Sequence, residues 1–172
     1  MTLNVYELQN QKIIPAVIVY AFYKDEVLLI SKTLQSGDGW HQGTYNGLGG
    51  KIEKNESSQE AAKRELFEES GLDIAREQFK CVGVLQFPNF KPHKTEDWIC
   101  YVFTLHLETF PQNMQMHQNE GMLQWVKKKE VLDLSLWEGD RIFLPMVFAG
   151  RSFVGTFWYE NKQLVRHWMQ SL

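Results

Sequence analysis

Between Gly50 and Leu72 the chain places Glu56, Arg64, Glu65, Glu68 and Glu69 in the spacing G-x5-E-x7-R-E-L-x-E-E-x-G-L. Carboxylates set this close repel one another. The usual compensation is a hard divalent cation with oxygen ligands, and such a cation points to chemistry on phosphates. A solvated, Glu-rich helix face is the plain alternative, and three carboxylates by themselves would favour it. The complete pattern decides against it: a double glycine, a Glu ahead of the helix, an Arg beside the first helical Glu, and a closing Gly-Leu.

The elements that must position these groups are a loop, a helix and a loop. Ser57 and Ser58 are N-cap candidates, Glu60 suits the first turn, and Gln59 to Glu69 is rich in strong helix formers. Gly71 suits a left-handed C-terminal cap. Glu65, Glu68 and Glu69 fall at i, i+3 and i+4 and share one face, while Ala62 and Leu66 point elsewhere and can pack on a sheet. Gly49 and Gly50 allow close backbone approach to a ligand. Arg64 is expected to orient the carboxylates by bidentate pairing, with Glu56 supporting the loop or that Arg.

Around this unit, Ala16 to Phe22 and Glu26 to Ser31 are expected strands joined by a tight Lys24-Asp25 turn. Ser36 to Thr44 is expected to be a flexible loop, and Tyr45 to Ile52 a strand, turn and loop. Phe79 to Phe87 and Trp98 to Thr109 are expected strands, with a polar loop from Pro88 to Asp97 between them. That loop is either a lid bringing His93 and Lys94 to phosphate or a solvated connection. Met122 to Val126 is a further strand, Lys127 to Leu132 a short helix start, and Leu136 to Phe148 a helix despite Gly139 and Pro145. Phe153 to Tyr159 and Leu164 to Met169 should pair through a Glu160-Asn161 turn. The order implies an α+β or α/β sandwich.

The 172 residues suit one domain, and a hydrophobic content of 44% is enough for a packed core. A formal net charge of −3 gives no basic footprint, so stable nucleic-acid binding is not expected. Cys81 and Cys100 match no metal spacing and are expected to be buried thiols in a reducing compartment. No signal-peptide layout and no apolar run of spanning length is found, so a cytoplasmic protein without membrane attachment is expected.

The pattern from Gly50 to Leu72 resembles the Nudix box, with every defining position filled. Tyr45-Asn46-Gly47-Leu48-Gly49-Gly50-Lys51, Trp137-Glu138-Gly139-Asp140 with Phe143-Leu144-Pro145, and Phe153-Val154-Gly155-Thr156-Phe157 resemble segments of the MutT-like oxidised-purine nucleoside triphosphatases. The likeness runs from about Ala16 to the end. It implies the Nudix fold, a mixed β-sheet between α-helices. It also implies a magnesium-dependent pyrophosphohydrolase, manganese being an alternative ion, working as a monomer or homodimer on a small nucleotide. Hydrolysis of 8-oxo-dGTP to the monophosphate and pyrophosphate is the expected reaction. Alternatives are another nucleoside diphosphate derivative, such as a sugar nucleotide or an RNA 5′ end, and a binding module without turnover. Mild acidity argues against the RNA end, and retention of all the box carboxylates argues against the binding module.

By the same resemblance, Glu65, Glu68, Glu69 and the Gly49 carbonyl are metal ligands, and Glu120 is either a further ligand or an exposed loop residue. Glu68 is favoured as general base, with Glu69 and Glu120 as rivals. Lys51 and Lys32 could meet phosphate oxygens. Trp137 is the first choice to stack on a purine, and Asn46 offers a donor and an acceptor to its edge. Asp140 can accept from ring N–H groups or, protonated, donate to a carbonyl. Phe87 and Phe90 are candidates to line the pocket. Sanitising relatives can carry two adjacent Asp where this chain has Gly139-Asp140, which leaves one matched Asp.

Overall fold

Alternation governs the first strand. β1 (Lys12–Tyr23) sends Val17, Val19 and Ala21 into one core and Ala16, Tyr20 and Phe22 into another, so both its faces are buried. The computed structural model describes residues 10–32, 43–114, 117–118 and 121–172. β2 (Glu26–Lys32) follows through the Lys24-Asp25 turn, where Lys24 takes φ 53°. The remaining strands are β3 (Tyr45–Asn46), β4 (Lys80–Lys91), β5 (Glu96–His106), β6 (His117–Gln118), β7 (Gly121–Lys127), β8 (Phe153–Glu160) and β9 (Gln163–Ser171). Among the described residues they form one sheet in the order β6-β7-β2-β1-β5-β4-β8-β9, with β3 added to β2. The β1–β5 and β4–β8 pairs are parallel and the others antiparallel, so the sheet is mixed.

Helices cover both faces. On one, α1 (Ser58–Ser70) presses Ala61, Ala62 and Leu66 onto Val17, Val19, Ala21 and Leu28. On the other, α3 (Glu138–Phe148) packs Phe143, Leu144 and Val147 among Tyr20, Phe22, Leu85 and Phe157. A short α2 (Lys128–Val131) connects β7 to the segment before α3. The result is the expected sandwich of a mixed sheet between helices.

Four expectations are corrected. The segment from Pro88 to Asp97 is mostly strand: β4 runs on to Lys91 and β5 begins at Glu96, leaving only residues 92–95 as a connection. Burial of Phe90 and Lys91 draws the chain back to the sheet, and a register irregularity between Phe87 and Lys91 accommodates Pro88 and Asn89. His93 and Lys94 lie exposed in the 3-10 turn of that connection.

The β8–β9 hairpin turns at Asn161-Lys162, one residue later than expected, because Glu160 pairs with Gln163 and both turn residues take positive φ, 50° and 67°. Helix α3 starts at Glu138, not Leu136, with Trp137 as its extended N-cap. Pro145 sits on its exposed side, in the last turn. Cys100 is buried as expected but Cys81 is exposed: an irregularity between Cys81 and Gly83 breaks the alternation of β4 at that point. The expected loop from Ser36 to Thr44 lies largely outside the described residues.

Candidate active site

Helix α1 is fixed at both ends. The Ser57 hydroxyl accepts from the Glu60 N–H at 3.2 Å while the Glu60 carboxylate accepts from the Ser57 N–H at 2.9 Å, a reciprocal capping box. Gly71 closes the other end at φ 75°, its N–H donating to the Phe67 carbonyl. With the ends held and Leu66 locked in the core, the Glu-bearing face has a fixed direction.

Arg64 gathers that face into one network. Its Nε and Nη2 donate to the two oxygens of Glu56 at 2.8 and 2.9 Å, a bidentate fork. Nη1 donates to Glu65 at 2.8 Å and to Glu68 at 3.0 Å, and Nη2 also donates to the Lys51 carbonyl at 3.0 Å. All five guanidinium N–H groups are therefore engaged. The Arg64 hydrogen bonds hold the Glu56 carboxyl below its ordinary range, and those carboxylates raise the guanidinium further above neutrality. The bidentate pairing of Arg64 is thus made with Glu56, and single hydrogen bonds reach Glu65 and Glu68.

The glycine pair sits directly against this face. The Gly49 N–H donates to Glu69 Oε2 at 2.7 Å. Gly49 takes φ 148°, and a Cβ there would lie 2.1 Å from the Val17 carbonyl oxygen. A Cβ on Gly50 would meet the Glu65 carboxylate at 2.5–2.8 Å. Only glycine lets two carboxylates bracket this backbone so closely. Among the described residues no hydrogen bond reaches the Gly49 carbonyl, so its oxygen is available as a ligand.

Glu65, Glu69 and that carbonyl are hard oxygen donors at one edge of α1, the chemistry that suits magnesium. Glu68 shares the face but is 55% exposed and leans on Arg64. As the side chains stand, no three His, Cys, Asp or Glu among the described residues are gathered into a metal cluster. Glu120 lies outside the described residues, as does the side chain of Lys32.

On the other side of the glycine pair lies a pocket of about 200 Å³. Asn46, Phe87, Phe90, Trp137 and Asp140 line it together, and Gly49 and Gly50 form part of its wall. The cavity and the acidic face thus share one stretch of backbone. Trp137 packs edge-on to Tyr159 with centroids 5.3 Å apart, and Phe90 lies 5.7 Å from it. Lys51 does not line the pocket; it is exposed, with its ammonium 5.6 Å above the Trp98 ring.

Asp140 is buried, and that burial pushes its carboxyl up to about 7, offset in part by the Trp137 backbone and the charge of Arg141. Burial also raises the hydroxyl of Tyr20 and takes the Cys100 thiol up to about 12, with Asp140 adding to both.

Sequence reasoning missed Lys91, Trp98 and Tyr159, which also line the cavity. Period-2 counting along Phe153-Val154-Gly155-Thr156-Phe157-Trp158-Tyr159 puts Tyr159 on the buried face with Phe157 and would have found it. Lys91 was hidden by the mistaken loop, whereas Trp98 stood at the start of an expected strand without a role in the pocket.

Comparison with known proteins agrees with this geometry. The family model described as NUDIX domain matches residues 12–147. The oxidized purine nucleoside triphosphate hydrolase of Mus musculus is 27% identical over 128 residues, covering 74% of this chain and 77% of that protein. The uncharacterized Nudix hydrolase YvcI of Bacillus subtilis (strain 168) is 32% identical over 137 residues, covering 78% and 80%. The crystal structure of a MutT protein from Bacillus halodurans superposes with a TM-score of 0.77 at 27% identity, covering 91% of this chain and 97% of that one. The chain belongs to the NUDIX domain family and is a MutT-like Nudix hydrolase.

Proposed function

We propose that this protein is a magnesium-dependent nucleoside triphosphate pyrophosphohydrolase that converts 8-oxo-dGTP, or a related oxidised purine nucleotide, to the monophosphate and pyrophosphate. One observation carries the reading: a ring-sized cavity holding Trp137, Asn46 and Asp140 shares the Gly49-Gly50 backbone with the carboxylate face of α1. A base seated in the first would bring its phosphates to the second. The oxidised-purine hydrolases of Mus musculus and Danio rerio, 27% and 24% identical, support the same substrate class.

Magnesium, or manganese, would be held by Glu65, Glu68, Glu69 and the Gly49 carbonyl, with Glu120 as a further ligand, and there it supplies charge neutralisation and a more acidic water. The protein's own groups divide the rest of the work. Glu68 is the general base. Glu69 Oε2 is tied to the Gly49 N–H, and Glu65 and Glu68 both accept from Arg64; Glu68 is the most exposed of the three and takes the proton of the attacking water. Arg64 keeps the carboxylates apart and aimed. Trp137 stacks on the base while Asn46 and Asp140 meet its edge. The fold carries no helix long and apolar enough to cross a membrane among the described residues, and a cytoplasmic nucleotide pool is the proposed setting.

The test is kcat/KM for 8-oxo-dGTP against dGTP, with and without magnesium, reading pyrophosphate. A large preference for the oxidised nucleotide supports the proposal; a ratio near one removes the oxidised-purine preference.

A further inference from the structure

Helix α3 has no side-chain cap of its own at Trp137. The Tyr159 hydroxyl takes that place by accepting the Gly139 N–H at 2.8 Å, satisfying one of the orphan donors of the helix start. The contact demands glycine: a Cβ at position 139 would lie 2.6 Å from the Tyr159 hydroxyl oxygen and 3.0 Å from the Phe157 ring. The phenol therefore occupies the volume that a side chain at 139 would need.

A phenolic hydroxyl also has a proton to give. Among the described residues, the Tyr159 hydroxyl makes no hydrogen bond beyond the one it accepts. Tyr159 is only 8% exposed, and it lines the cavity beside Asp140. A buried donor of this kind calls for a partner, and the cavity is where one can be. Asn46 Oδ1 already accepts the Gly47 N–H at 2.8 Å, which leaves its amino group as a second donor in the wall that also holds the Asp140 carboxyl.

We propose that the Tyr159 hydroxyl is a specificity-determining donor to the bound base, standing where a side chain at position 139 would otherwise stand, and that it favours purines bearing exocyclic oxygens over aminopurines. This deepens the nucleotide reading of the pocket and rests on it. A neutral hydrogen bond to a base oxygen is worth about tenfold in selectivity.

The experiment compares wild type with Tyr159→Phe for 8-oxo-dGTP, dITP and dATP by kcat/KM, and for the matching monophosphates by calorimetric Kd. The expected result is a fall of about tenfold in the oxopurine-to-dATP ratio, carried by KM and Kd rather than kcat. Losing only the helix cap would lower Tm and affect all three nucleotides alike, so an unchanged ratio overturns the proposal. Gly139→Ala, which crowds the hydroxyl out of its position without removing it, should lower the same ratio and gives the answer should Tyr159→Phe fold poorly. A wild type that turns over no triphosphate refutes the proposed activity, while the monophosphate Kd ratio still decides the role of Tyr159. Binding of none of the monophosphates overturns it as well.

Discussion

The Glu69 carboxylate accepts the Gly49 N–H at 2.7 Å, tying the end of the acidic helix to the wall of the neighbouring cavity through one hydrogen bond. Position 69 is 5% exposed, so this carboxylate is held rather than solvated. Gln at position 69 could keep that acceptor while losing the charge. Glu69→Gln should therefore fold with a Tm near wild type but lose about a hundredfold or more in kcat. Near-normal turnover would remove Glu69 from the chemistry.

Glu68→Gln should lose about 10²- to 10⁴-fold in kcat with little change in KM, because the exposed carboxylate is assigned to proton transfer rather than binding. Near-normal kcat would move the base to Glu69 or Glu120.

Arg64→Lys cannot reproduce a five-donor fork. It should cost about 1–3 kcal/mol of stability and a comparable factor in turnover, read by urea denaturation and kcat. The pH dependence has a definite sign. Arg64 depresses the Glu56 carboxyl below its ordinary 4.5, so the associated stability is present above that value and is lost as pH falls through the lower folded value. The Arg64→Lys variant should show a shallower loss in acid.

Asp140 titrates in the opposite sense. Its carboxyl is raised from 3.8 to about 7 in the folded protein. Between those values the folded state holds the extra proton, so stability falls as pH rises from about 4 to about 7 and then levels off. Binding of a base oxygen that needs the protonated carboxyl should weaken above pH 7 as well. Asp140→Asn should flatten both dependences; curves superposable with wild type would refute the assignment.

Chelation with EDTA should abolish turnover and leave the far-ultraviolet circular dichroism unchanged, since the capping box and the buried Leu66 hold α1 without a metal. Added magnesium should restore the rate. Full activity in EDTA would refute metal dependence.

The helix that carries the carboxylates could be read from the sequence because its signals are local: Ser57 and Glu60 cap each other, Gly71 stops the helix, and 3.6-residue spacing separates Leu66 from the glutamates. The Arg64 fork followed from charge and proximity in the same way. The cavity was harder, because it is assembled from strands far apart in the chain. Asn46, Phe87, Trp137 and Asp140 were named through resemblance, whereas Tyr159 sat in a strand whose alternation was not followed to its end. The stretch from Pro88 to Asp97 misled because proline and polar residues look like a loop. A bulge lets a strand keep them, and the burial of Phe90 outweighs local preference.

Strand β1 has a consequence for how this molecule can change over generations. Its odd-numbered Val17, Val19 and Ala21 support the acidic helix, and its even-numbered Ala16, Tyr20 and Phe22 support the core around the aromatic cavity. A single inserted residue would swap those allegiances along every later position of the plank. The two halves of the enzyme are therefore free to vary in side-chain detail but are geared together by one ribbon, and neither can drift in phase without dragging the other.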